Sequence, residues 1–156
     1  NQTRSSEKKF REGNFKGAIE DKRKVRVLLN SKFCDENIIK KDGLKVDQKI
    51  YTSLEGENPT TMAKSTGLAI IELTTCFDKL KPDIVLTVAD RYETLATAIS
   101  ASYMNIFLAH TQGGEVTGSI DESVRHAITK LSHLHFPATE QSKKRIIKII
   151  FQLIIH

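Results

Sequence analysis

The stretch HTQGGEVTG, His110 to Gly118, sets an imidazole, an amide and a carboxylate around two adjacent glycines. Three of the chain's eight glycines fall within these nine residues, directly after the apolar run Ile106-Phe107-Leu108-Ala109. One reading is a turn that needs positive φ. The other is a loop whose backbone approaches a phosphate or a sugar, with N–H groups free to donate. No GxGxxG pattern and no Walker loop occurs, so a generic nucleotide fingerprint is absent.

Carboxylates and cations flank this loop. Asp90-Arg91 follows an apolar, β-branched run. Asp90 is either a helix N-cap or a carboxylate at a rigid strand end, where a general base is well placed. Asp121-Glu122 opens another helical pattern. Ser119 and Glu122 have capping-box spacing, which leaves Asp121 without that obligation. Arg125 and His126 lie four residues beyond Asp121 and Glu122. Simple i,i+4 pairing explains that spacing, and so does a cationic site for a diphosphate leaving group. His126, His133 and His135 invite a metal reading, but the tight Cys/His grouping of a zinc site is missing, and we expect no metal. No GxSxG elbow surrounds a Ser, and neither Cys34 nor Cys76 has an evident His partner.

The elements that position these groups follow from periodicity. Asn58 suits an N-cap and Pro59 a first helical turn. Met62, Thr66, Ala69, Leu73, Cys76, Phe77 and Leu80 then mark one helical face that ends at Pro82. Gly67 weakens that helix. Asp83 to Val88 reads as a strand buried on both faces of a parallel sheet. A helix carrying Leu95, Ala96, Ile99 and Tyr103 follows, then a turn at Asn105 and a strand over 106–109. After the glycine loop come a helix from about Asp121 to Ser132 and a strand over 133–139. Val25 to Leu29 is a further short β-prone run, and 30–50 carries turn signals at Asn30-Ser31 and Asp42-Gly43. Strands that alternate with helices predict an α/β, Rossmann-like, doubly wound parallel sheet. Ligands then bind beyond the carboxyl ends of the strands, where Asp90-Arg91 and the glycine loop both fall.

The bulk properties narrow the function classes. The chain has 156 residues, 39% of them apolar and 28% charged, which fits one soluble globular domain with tails. Residues 1–50 carry 14 basic and 8 acidic side chains, 51–140 carry 6 and 11, and 141–156 carry 4 and none. An acidic middle between basic ends is a poor pattern for nucleic-acid binding, and no nucleic-acid partner is expected. Two distant cysteines fit a reduced, cytoplasmic protein. The first ten residues, NQTRSSEKKF, are polar and carry no apolar signal core, and Ile146 to Ile155 is too short to span a membrane. We read 1–24 as a polar, loosely ordered segment, 25–140 as the folded lobe, and 141–156 as a basic, apolar tail.

The run KPDIVLTVADRYETLATAISASYMNIFLAHTQGGEVTGSIDESVRHAITKLSHLHFPATE, Lys81 to Glu140, resembles the hydrolysing UDP-N-acetylglucosamine 2-epimerases. The 27 residues HTQGGEVTGSIDESVRHAITKLSHLHF are its most specific part, and a weaker likeness reaches back to about Asp42. The resemblance implies one Rossmann-like lobe of a two-lobed, glycosyltransferase-B-like enzyme, with the active site between the lobes and no cofactor. It implies removal of the C2 proton of a UDP-sugar, loss of UDP to give a glycal, and addition of water to release N-acetylmannosamine for sialic acid or a related nonulosonate. It assigns acidic catalytic positions to Asp90 and Asp121, with Glu122 beside them. Arg91, His110, Gly113, Gly114, Glu115, Arg125 and His126 it places against the sugar nucleotide.

The departures from the family are specific. Gln112 stands where some relatives have a catalytic Glu, and an amide cannot transfer that proton. Ala89 replaces a glycine before Asp-Arg. The family's first strand and its Arg-Ala-Glu/Asp-Tyr loop are not recognisable in 1–30, and 146–156 does not resemble the family. A second lobe, which should hold much of the UDP, is expected beyond this chain. The corresponding expectation is a truncated product or an excised fragment with weak UDP-sugar binding and little turnover alone. The alternatives are a self-associating, non-catalytic remnant, a non-hydrolysing epimerase, and an epimerase of UDP-diacetylbacillosamine.

Overall fold

A computed structural model describes residues 27–30, 41, 46–56, 58–88 and 91–151. The chain divides into two units, 1–49 and 50–156. Strands β1 (Val27–Asn30) and β2 (Val46–Ile50) pair as a two-stranded sheet. The polar, alternating sequence VDQKI lies where only turn signals are legible, so β2 is an addition to the sequence reading. The segment read as loosely ordered, 1–24, lies outside the described residues, as do Cys34, Ala89 and Asp90.

Helix α1 (Pro59–Leu80) begins as the sequence predicts. The Asn58 side chain accepts the Thr61 N–H at 3.0 Å, and the Thr61 hydroxyl accepts the Asn58 N–H at 3.2 Å. This reciprocal pair satisfies two backbone donors that a helix start leaves open. Lys81 closes the helix in the left-handed region, at φ 46°, and Pro82 prevents its continuation. Ser65, Ala69, Leu73, Cys76 and Phe77 are the buried face. Burial raises the Cys76 thiol above its ordinary range, as suits a core residue.

Strand β3 (Ile84–Val88), helix α2 (Tyr92–Tyr103), strand β4 (Phe107–Thr111), helix α3 (Ile120–Leu131), strand β5 (Leu134–Phe136) and helix α4 (Glu140–Phe151) follow. The three strands form a parallel sheet in the order β3-β4-β5. Consecutive strands joined by crossovers of one hand place their helices on one face. That face buries Val85 and Thr87 of β3 and Leu108 and His110 of β4. Helix α2 is rich in small residues because it is enclosed by α1, α3 and the sheet. Ala96, Ala98 and Ala101 are fully buried there, and the Ser100 hydroxyl donates to the Ile70 carbonyl of α1 at 3.3 Å.

Two expectations change. Strand β3 is not buried on both faces: Leu86 and Val88 remain 57% and 54% exposed, because the described helices cover only the opposite side. Strand β4 runs on to Thr111, so His110 is a strand residue that points beneath the helices. Among the described residues, no helix is long and apolar enough to cross a membrane.

Gly67 lies on the exposed side of α1, and a Cβ built there meets nothing within 4 Å. Gly67→Ala is therefore expected to stabilise the protein by about 1 kcal/mol, and Asn58→Ala to destabilise it by about 1 kcal/mol. Urea unfolding midpoints of the two variants check both signs.

Candidate active site

The register aligns Val88, Thr111 and Phe136, so the loops after β3, β4 and β5 leave the sheet at one edge. Arg91, the glycine loop and the first turn of α4 all begin at that edge, where parallel α/β sheets bind ligands.

The glycine loop is fitted to its supports. Gln112 extends the β4–β5 ladder by donating its N–H to the Phe136 carbonyl at 3.0 Å. It then takes φ 59°, a left-handed conformation that costs a non-glycine residue about 1 kcal/mol or more. Its side chain is exposed. Gly113 fills a slot between elements: a Cβ there would stand 3.1 Å from both His110 Nδ1 and Thr129 Oγ1, and 3.3 Å from Ile146 Cδ1. Gly114, at φ 78°, is more tightly constrained, with a Cβ falling 2.3 Å from the Ser142 carbonyl oxygen of α4. The glycine pair thus meets both needs weighed in the sequence, positive φ and close backbone approach. The close approach is to α4.

Charged groups of α3 and α4 satisfy the loop backbone. The Arg125 guanidinium, 1% exposed, donates to the Glu115 carbonyl. Arg145 Nη1 donates to the Gly114 carbonyl at 3.1 Å. Glu122 Oε2 accepts the Gly118 N–H at 2.8 Å and the Thr117 N–H at 3.1 Å. Those amides hold the Glu122 carboxyl below the ordinary carboxylate range. The Ser119–Glu122 capping box is therefore not formed as expected, since Ser119 makes no side-chain cap and Glu122 reaches further back along the loop.

His110 needs the clearest correction. It was expected against the sugar nucleotide, but it is fully buried, with Nδ1 3.4 Å from Thr129 Oγ1, and it supports Gly113 from beneath. Arg125 likewise turns inward to the loop backbone instead of forming a solvated i,i+4 pair at the helix surface. Arg91 is exposed at the N-cap of α2, with its guanidinium 3.2 Å from both Glu93 carboxylate oxygens. Asp121, Glu115 and His126 are half-buried. Asp121 receives a long contact of 3.4 Å from the Ser119 hydroxyl. The histidines considered for a metal have other surroundings. His133 Nδ1 accepts the Leu108 N–H at 3.2 Å and its ring stacks on Phe107, while burial lowers the His135 pKa. No cluster of three or more His, Cys, Asp or Glu suited to a metal occurs among the described residues.

A sequence profile of the UDP-N-acetylglucosamine 2-epimerase family matches residues 30–152. The chain belongs to this family. It is 45% identical over 113 residues to the hydrolysing UDP-N,N'-diacetylbacillosamine 2-epimerase of Legionella pneumophila, covering 72% of this chain and 30% of that protein. It is 42% identical over 106 residues to the GDP/UDP-N,N'-diacetylbacillosamine 2-epimerase of Campylobacter jejuni, covering 67% of this chain and 28% of that one. The crystal structure of UDP-GlcNAc 2-epimerase from Neisseria meningitidis bound to UDP-GlcNAc superposes with a TM-score of 0.63 at 25% identity, over 72% of this chain and 31% of that chain. The chain thus spans less than a third of the length of these relatives.

The family match runs through the segment read as an unrelated tail. Residues 140–151 form α4, with Ser142 and Ile146 buried. Thr139 starts the helix: its hydroxyl accepts the Ser142 N–H at 3.1 Å and pairs with the Ser142 hydroxyl at 2.9 Å. Sequence reasoning missed Thr129, Ser142 and Arg145 as supports of the loop. The cap-like Thr139 and the Ser142/Ile146 spacing were the available signals for α4.

Two variants test the loop architecture. Gly114→Ala must displace either the loop or the first turn of α4, and a loss of more than about 2 kcal/mol is expected in urea unfolding. Glu122→Gln tests linkage. A carboxylate with a depressed folded-state pKa stabilises above its unfolded pKa, and that contribution is lost as pH falls through the folded value. The variant's unfolding midpoint should fall below that of the wild type at neutral pH, with the gap closing in acid. A gap independent of pH would show that the Glu122 charge is not what holds the loop.

Proposed function

We propose that this chain supplies the glycine-loop side of the active site of a hydrolysing UDP-sugar 2-epimerase, acting on UDP-N-acetylglucosamine. The observation that carries the reading is the combination of the family match over 30–152 with an edge loop whose backbone is fixed while Gln112, Glu115 and Asp121 keep accessible side chains. In the reaction, a base removes the C2 proton and the C1–O bond breaks, with UDP leaving and a C1=C2 glycal remaining. Water then adds its oxygen to C1 and a proton returns to C2 on the opposite face, giving N-acetylmannosamine. Carboxylates suit both proton transfers. Asp121 at the head of α3 and Asp90, beyond the described residues, are the proposed acid and base positions, with Glu115 and Arg91 lining the sugar nucleotide. Glu122 and Arg125 hold the loop in shape. The exposed Gln112 amide orients the substrate and transfers no proton.

A second reading concerns the sugar alone. The names of the Legionella and Campylobacter proteins, 45% and 42% identical, make nucleotide-linked N,N'-diacetylbacillosamine the alternative substrate of the same chemistry.

Binding is tested by titrating the isotopically labelled chain with either UDP-sugar and following backbone amide resonances. Changes centred on residues 112–118 are expected. Changes confined to the basic helix α4 would reduce the reading to unspecific anion binding. Turnover is followed by proton NMR in D2O, where the released sugar should carry deuterium at C2. Restoring a proton-transferring group with Gln112→Glu should raise that rate by about 100-fold. An unchanged rate would remove position 112 from the proton path.

A further inference from the structure

In the sequence Arg145 is one of four cations on the basic, apolar tail 141–156. In the fold it is half-buried one turn into α4, and Nη1 donates to the Gly114 carbonyl at 3.1 Å. Among the described residues it makes no ion pair. The neighbouring Arg125 of α3 holds the next carbonyl, that of Glu115. In a planar trans peptide the N–H of the following residue points opposite to the carbonyl. Gripping these two carbonyls from the helix side therefore turns the Glu115 and Val116 N–H groups away from the helices. Neither amide donates a hydrogen bond among the described residues. Val116 is 56% exposed, so the second of these amides lies in an open part of the loop. Backbone donors held in this way need little reorganisation to meet an oxygen acceptor.

We propose that Arg145 is a positioning residue, which acts through the Gly114 carbonyl to aim the Glu115 N–H at an oxygen of the sugar nucleotide. The inference rests on the substrate reading above and adds the donor and the residue that sets it. The ligand oxygen is either a phosphate oxygen or one on the sugar. The test compares the wild type with Arg145→Lys and Arg145→Met in the labelled full chain. It follows the Glu115 amide resonance and its hydrogen exchange, and titrates UDP and UDP-N-acetylglucosamine separately. Arg145→Met should move the Glu115 resonance, speed its exchange and weaken binding about five- to tenfold, the effect of one hydrogen bond. Arg145→Lys, which keeps a charged donor, should recover part of the affinity. Weakening of both ligands assigns the oxygen to phosphate, and weakening of UDP-N-acetylglucosamine alone assigns it to the sugar. An unmoved Glu115 resonance overturns the proposal. So does an equal loss in both variants that tracks thermal stability, because a purely structural role would give that result. If the wild type binds neither ligand, the substrate reading falls together with this one. If it binds and Arg145→Met binds equally well, this one alone falls.

Discussion

The backbone of Gly114 lies against the first turn of α4, close enough that a single added carbon would fall 2.3 Å from the Ser142 carbonyl oxygen. This contact decides what the candidate site can be. It requires glycine at 114, it requires that α4 start where Thr139 caps it, and it brings Ile146 against Gly113. The loop is held to the body of the fold by its main chain, which frees the side chains on either side of it for other work. Gln112 enters the loop and Glu115 leaves it, and neither is needed to fill the gap between β4 and α4.

Electrostatics completes what packing begins. A loop that turns sharply away from a strand leaves peptide groups without ladder partners, and buried ones must find others. Here ionised side chains from two adjacent helices supply them. Arginines 125 and 145 take successive carbonyls, and Glu122 takes two N–H groups from the other end of the loop. Hydrogen bonds to charged groups are stronger than neutral ones, so the loop is fixed by a few long side chains rather than by regular structure. The same arrangement explains why residues that look catalytic in the sequence divide into two groups. His110, Glu122 and Arg125 face the peptide framework, and Gln112, Glu115 and Asp121 are left beside the open edge.

Much of the fold was legible because periodicity reports on burial. The stripe along α1, its Asn58 cap, the parallel order of β3, β4 and β5, and the shared edge of their loops follow from apolar spacing and turn residues. What was not legible depends on facts that periodicity does not carry. A β-branched run looks the same whether one or both faces are covered, so the exposure of Leu86 and Val88 could not be read from it. The sequence ends β4 two residues early because His110 and Thr111 are polar. They pair in register with His135 and Phe136, which continue the strand. Strand β2 is concealed by its charged residues. Helix α4 was concealed by composition, since a basic, isoleucine-rich segment without acidic residues looks like a tail until Ser142 and Ile146 meet the glycines.

The winding of the sheet accounts for the asymmetry of the described unit. With β3, β4 and β5 in sequential order, α2 and α3 share one face, and the small side chains of α2 let α1 pack closely against it. Val85, Thr87, Leu108 and His110 are buried on that side, which also holds the slot that receives Gly113. A change beneath the loop, at Thr129 or Ile146, would reach the site through the position of two peptide groups without touching a ligand. The site's geometry is therefore a property of α3 and α4 as much as of the loop. The reaction proposed for the site must align a proton with a leaving group, and there displacements of an ångström matter. On that reading, residues that anchor a carbonyl bear on the reaction as directly as those that carry a proton.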